Sequence, residues 1–403
     1  MNKKLGYYTV GKIEIESKIH ACIFATHVLS KSQESINPLS ILKWHFNEDI
    51  FQNFDWSREP ESSLDQLYNK RARELREKYD YIVVSYSGGA DSHNIVMSFL
   101  RQNLHIDEIV VNCLDKGIEK FAIVDPNVKD AKYAHASEHH LQAIPRIKDL
   151  KVISPNTKIT VFDMTDNLFQ VFSDPKQNWI LKMREELNPV DVTRYNYIHF
   201  SDFRKNMDKD RKVGIVMGID KPRILIDKVD LSVYLRFTDR LTNIAPVGEY
   251  MKDYTNTTIE YFYWSPDACE LLCKQAHVVK KWLEWNPRIQ DYFSVQGPRH
   301  PIPGAFRVIN ERLLRPILYS TWDASWFQAD KGAFDWYTEF DTWFIEGHAN
   351  SKEHAIWKEG LAYLVKHATP YVNKNGLVYD GLKALYHDYK IGQLKSNESF
   401  SLS

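Results

Sequence analysis

The stretch Asp80–Leu100, DYIVVSYSGGADSHNIVMSFL, constrains the fold of this chain more than any other. Tyr81, Ile82, Val83 and Val84 form a short apolar run rich in β-branched residues, the length of one buried strand. Ser87-Gly88-Gly89-Ala90-Asp91-Ser92 interrupts it, and Ile95, Val96, Phe99 and Leu100 then recur at helical spacing. A strand, a glycine turn and a helix in this order can build an anion site. Gly88 and Gly89 carry no Cβ, so their backbone can come close to a phosphate and aim successive N–H groups at it. The helix start beside Asp91 adds free N–H donors and the positive end of its dipole. Ser87 and Ser92 add hydroxyls. The alternative is a Gly-Gly turn that only joins a strand to a helix.

The flanking sequence reads as an α/β domain over residues 61–227. Ser62, with Asp65 three residues on, has the form of a helix start. Leu64, Leu67, Tyr68, Leu75 and Tyr79 follow as one apolar stripe, with Lys70, Arg71, Arg73 and Arg76 opposite. That basic face is either solvated or a contact for a polyanion such as nucleic acid. Strands are expected at 107–113, 158–164 and 212–218, and their alternation with helical segments predicts a Rossmann-like parallel sheet flanked by helices. Asp220, Lys221 and Arg223 follow the last of these strands, with Pro222 barring a helix there. Lys221 and Arg223 have the chemistry to neutralise phosphate charge, and Asp220 could hold Mg²⁺, which binds through one or two carboxylates plus phosphates. A solvated polar turn is the plainer reading of the same residues.

Residues 1–60 alternate short apolar and polar runs and read as a small N-terminal cap. From about 228 to 394 the pattern predicts a mostly helical domain, with strands near 231–237 and 258–264 and helices over 267–285, 334–345 and 352–367. Eight of the eleven tryptophans lie in it, a stripe that suits a packed core better than a cofactor box. Tyr319–Lys331, YSTWDASWFQADK, either lines an acceptor pocket or is an aromatic-rich loop. The tail 395–403 reads as disordered. Lys plus Arg (52) balances Asp plus Glu (53), so no overall field recruits nucleic acid or an acidic membrane. There is no signal-peptide core and no membrane-length apolar run, and a soluble cytoplasmic enzyme is expected. Four cysteines make no disulfide framework, and Cys269 and Cys273 are expected as buried apolar thiols. His135-Ala136-Ser137-Glu138-His139 matches the HxxEH zinc motif on an expected helix over 128–150, but no third ligand is identifiable, and an exposed helical face is the expectation.

The run Ser87–Ser92 resembles the SGGxDS loop of the PP-loop ATP pyrophosphatases, within the adenine nucleotide α-hydrolase-like fold. It is neither a Walker loop nor a dinucleotide GxGxxG. The resemblance implies that Ser87, Gly88, Gly89, Ala90 and Ser92 hold the β,γ-phosphates of ATP, and that Asp91 organises the loop and binds Mg²⁺ together with Asp220. In that chemistry Lys221 and Arg223 would neutralise pyrophosphate, and the resemblance implies that backbone near Asn112 and Cys113 holds adenine. The layout is similar to the synthetase half of asparagine synthetase, in which ATP adenylates a carboxylate and an amine displaces AMP. Asn2 stands where the glutaminase half has its cysteine, so the implied nitrogen donor is ammonia, an amine or a partner's product. The whole chain also looks like PP-loop proteins of large tailed bacteriophages. The competing expectations are sulfur transfer of the thiolation or phosphoadenylylsulfate-reductase kind, with Cys113 the one thiol near the loop, and a nucleotide-binding module without catalysis.

Overall fold

In the computed structural model, residues 5–32, 35–113, 116, 138–173, 210–219, 221–239, 255–294, 313–323, 325–326, 343–375 and 378–395 are described. The first elements are strands β1 (Tyr7–Val10) and β2 (Ile13–Ile15), helix α1 (Lys18–Lys31) and strand β3 (Leu42–His45). The strands form an antiparallel sheet in the order β2-β1-β3.

Helix α2 (Leu64–Lys78) starts one residue later than the sequence suggests. Ser63 is the last extended residue and its hydroxyl caps the Gln66 amide, while the Gln66 side chain accepts from the Ser63 N–H at 2.8 Å. With two serines in a row, the residue able to answer from the third helical position decides the start.

Next come β4 (Tyr81–Ser85), helix α3 (Ala90–Leu100), β5 (Glu108–Cys113), helix α4 (Ile144–Ile153), β6 (Lys158–Asp163), helix α5 (Thr165–Ser173) and β7 (Val213–Met217). Strands β8 (Arg223–Ile226), β9 (Ser232–Thr238) and β10 (Thr257–Tyr261) lead to helix α6 (Cys269–Trp285). Helix α7 (Lys352–His367) precedes β11 (Val372–Asn375), β12 (Val378–Leu382) and β13 (Tyr386–Gln393).

The central sheet has five parallel strands in the order β10-β7-β4-β5-β6. Its inner strands are buried on both faces, β7 along its whole length, as continuous apolar runs in a helix-covered parallel sheet should be. The chain runs outward from β4 to β6 on one side, then returns to β7 and β10 on the other. The strand order therefore reverses between β4 and β7, and the crevice at their carboxyl ends is where ligands bind in open α/β sheets.

Two features depart from the expected layout. The fifth parallel strand comes from beyond residue 227, so the sheet crosses the boundary drawn in the sequence. The C-terminal part is also not simply helical: β8, β9 and β13 make an antiparallel sheet in the order β13-β9-β8, and β11 pairs with β12. The 334–345 helix lies mostly outside the described residues, as does the tail beyond residue 395.

Aromatic side chains join the cap to the second sheet. Phe51 stacks on Phe237 at 4.8 Å, and Phe237 meets the edge of Trp264 at 5.1 Å. Trp264 and Trp357 are core, whereas Trp285 is 85% exposed. Cys269 and Cys273 are buried free thiols, as expected. Burial pushes both up to about 12, so neither is a thiolate at neutral pH.

The basic residues of α2 are occupied within the protein. Lys70 pairs with Glu270 at 2.9 Å and Arg76 with Asp107 at 2.6 Å. Arg73 bonds Gln102, and Arg71 is itself buried, bonding Glu260, the Tyr261 carbonyl and Ser265. These are ties to the sheet and to α6 rather than a free cationic stripe. Among the described residues, no helix is long and apolar enough to cross a membrane.

Candidate functional site

The loop after β4 folds as the glycine pattern predicts. Gly88 has φ +73°, the left-handed region that glycine enters without steric cost, and Gly89 is the N-cap of α3. No side chain caps this helix. Ser87 and Ser92 turn their hydroxyls into the loop. The Ser92 hydroxyl accepts from the Ser87 amide at 3.3 Å and donates to the Gly89 carbonyl at 3.2 Å, and the Ser87 hydroxyl accepts from the Gly89 amide at 3.3 Å. These are long bonds that an incoming anion can displace. No described protein group accepts from the amides of Gly88, Ala90, Asp91 or Ser92. Four donors thus stand at a helix N-terminus on the carboxyl edge of the sheet, an arrangement that suits a phosphate chain.

The bare face of Gly88 is also packed against protein. A Cβ there would lie 2.6 Å from the Ala143 Cα, because the π-helical turn Glu138–Ala143 packs its backbone onto the loop. The same turn supplies Gln142, whose side-chain amide donates to the Ser87 carbonyl at 3.2 Å. Gln142 was not foreseen. The turn also corrects the reading of the histidine motif: Glu138 and His139 are buried in this wall rather than on an exposed face. His135 lies outside the described residues, and among those described no three His, Cys, Asp or Glu side chains are grouped to hold a metal.

Asp91 and Lys221, singled out separately in the sequence, are in contact across the crevice. The Lys221 ammonium, itself buried, lies 2.6 Å from Asp91 Oδ2. A Cβ at Gly218 would lie 3.4 Å from the Ser92 amide nitrogen, so the end of β7 rests against the first turn of α3. Asn112 and Cys113 end β5, the next strand along, with Cys113 buried and its carbonyl accepting from Met164. Asp220 falls outside the described residues. Arg223 lies two residues beyond Lys221. It opens β8 on the second sheet, exposed and paired in register with Arg236, which itself forks onto Asp388.

The remaining walls come from the Tyr319 stretch and from α3 itself. Asp91 Oδ1 accepts from the Tyr319 hydroxyl, and the Asp91 carbonyl accepts from the Tyr263 hydroxyl at 2.9 Å. Thr321 donates to Asn94 at 3.3 Å. Trp326 lies edge-on to His93 at 4.8 Å and under the Arg146 guanidinium at 4.4 Å. Gln328, Asp330 and Lys331 lie outside the described residues.

His93 is held neutral. Burial first, then the nearby Arg146 and Arg101 charges, lower its pKa to about 4, and its Nδ1 shares a 3.0 Å hydrogen bond with the Tyr86 hydroxyl. An unfolded histidine titrates near 6.5, so between about pH 6.5 and 4 only the unfolded chain takes up this proton. Stability is therefore lost as pH falls through that window, by about 3 kcal/mol for this one group. His93→Gln should flatten the fall in urea midpoint between pH 7 and 4. An unchanged slope would show that His93 does not set it.

Compared with known proteins, the sequence matches no protein-family model, and no curated protein matches it.

Proposed function

We propose that this chain is an AMP-forming ATP pyrophosphatase that adenylates an acceptor carboxylate or carbonyl oxygen for amide- or imine-type bond formation. The observation that carries the reading is the set of four loop amides without acceptors among the described residues, facing the strand-order reversal, with the Lys221 ammonium beside them. In this reading the amides of Gly88, Ala90, Asp91 and Ser92 receive the β,γ-phosphates, and the Ser87 and Ser92 hydroxyls turn from one another to the ligand. The acceptor oxygen attacks the α-phosphorus, the α–β bond breaks, and pyrophosphate leaves with the bonding electrons. Lys221 and the helix N-terminus are placed to hold the charge that grows on that leaving group. Positioning and charge neutralisation suffice for such a transfer, so it needs no protein nucleophile.

Mg²⁺ bound with the triphosphate would share its charge. Each Asp91 oxygen accepts one hydrogen bond and keeps lone pairs to spare, so the residue fits that part, and Asp220 is the second carboxylate proposed for it. Arg223, set on the second sheet, is left out of the pyrophosphate role.

The test is incubation with ATP, Mg²⁺ and a panel of carboxylates, amides and nucleobases, with and without ammonia. AMP and pyrophosphate should accumulate in equal amounts with one acceptor class. ADP as product would overturn the chemistry, and tight ATP binding without turnover would favour a nucleotide-binding module. Cys113→Ser is expected to leave AMP formation within about twofold of wild type, since no thiol takes part. A loss of a hundredfold or more would instead favour sulfur transfer.

A further inference from the structure

We propose that Tyr319 is a positioning residue of the nucleotide loop, fixing Asp91 so that Asp91 can hold Lys221 at the phosphate site. The inference rests on the nucleotide reading above and adds to it a wall contributed from far along the chain. Asp91 is the second residue of α3, where its side chain could swing toward solvent or toward the loop. Two donors from separate elements hold it: Lys221 at Oδ2, from the chain leaving β7, and the Tyr319 hydroxyl at Oδ1, from the turn after residues 313–318.

Tyr319 is itself enclosed. It is 1% exposed, and its ring packs 6.1 Å from both Tyr68 and Tyr263. Tyr68 ties the same segment down by donating to the Leu318 carbonyl at 2.9 Å, and it accepts from Gln275 of α6. Tyr263 holds the Asp91 backbone. Three buried tyrosines thus fix the main chain and side chain of one loop residue.

The consequence falls on Lys221. A lysine side chain has about 2 kcal/mol of rotamer entropy to lose and no fork to orient it, and Asp91 is a carboxylate that anchors it at the site. Without the Tyr319 hydroxyl, Asp91 can rotate and carry the ammonium away from the phosphates.

The experiment is calorimetric titration of wild type, Tyr319→Phe, Asp91→Asn and the double variant. The probes are α,β-methylene-ATP, which cannot be split at the α–β bond, and AMP, which lacks the β- and γ-phosphates. Tyr319→Phe should weaken the triphosphate analogue about tenfold while changing AMP affinity less than twofold, and it should add nothing in the Asp91→Asn background. Equal losses for both probes, additive losses in the double variant, or no loss would overturn the role of Tyr319. Should wild type bind neither probe, the nucleotide reading itself fails and this inference with it.

Discussion

Asp239→Ala is expected to destabilise the protein by about 3–5 kcal/mol, the cost of stranding one member of a buried ion pair. Asp239 follows β9, and its carboxylate and the Lys18 ammonium, 2.6 Å apart, are both fully buried. The same carboxylate accepts from the Tyr8 hydroxyl at 3.2 Å and from the Leu385 amide at 3.0 Å. One side chain therefore ties α1, β1 and the approach to β13 to the second sheet. Removing it leaves an ammonium in an apolar interior, where it must draw in water or give up its proton. Lys18→Met is the milder change, because Asp239 keeps two donors. The double variant should cost less than the sum of the singles, since neither charge is then stranded. Urea unfolding of the four proteins measures this. A loss below about 1 kcal/mol for Asp239→Ala, or a larger loss for Lys18→Met, would show that the pair does not tie the cap to the sheet in this way.

What the sequence shows of this site is set by how local each signal is. The strand–turn–helix at 81–100 was legible because all of it lies within twenty consecutive residues: an apolar run, two glycines, a helical repeat. Asp91 and Lys221 could both be placed because each follows a readable strand, and the carboxyl ends of parallel strands share one edge. Arg223 looked equivalent to Lys221, but it already belongs to β8, whose alternation sends it to the exposed face. Nothing local separates those two cases. The membership of Thr257–Tyr261 in the central sheet depends on β7, over forty positions earlier, and not on its own five residues. Tyr319 is farther still, 228 positions from Asp91. Its only local trace is an aromatic stretch mixed with polar groups, which reads equally well as a loop. Gln142 was hidden for another reason. It lies in a π-helical turn 55 positions from the Ser87 carbonyl it bonds, and nothing in a helical pattern points at that loop.

The second large effect separates what the two loop glycines do. Gly88→Ala should lower stability by about 2–5 kcal/mol, and with it nucleotide affinity, for two reasons that add. A left-handed backbone costs an L-residue about 1–2 kcal/mol. The new methyl would also meet the Ala143 backbone at 2.6 Å, a contact that the wall can relieve only by moving, at about 1–3 kcal/mol for overpacking. Gly89 has an ordinary φ of −70°, and a Cβ there would find only the Ser87 hydroxyl at 3.2 Å and the Gln142 amide at 3.5 Å, both on side chains that can turn. Gly89→Ala should therefore keep the wild-type urea midpoint. Its methyl nevertheless stands at the N-cap, beside the amides that would receive a phosphate, so α,β-methylene-ATP should bind about tenfold or more weakly. Stability and affinity are expected to fall together at Gly88 and to part company at Gly89. If Gly89→Ala leaves both untouched while the wild type binds the analogue, the phosphates sit elsewhere and the two glycines serve only the turn. If Gly88→Ala is as stable as wild type, the wall of residues 138–143 is not pressed onto the loop, and Gln142 loses its place in the site.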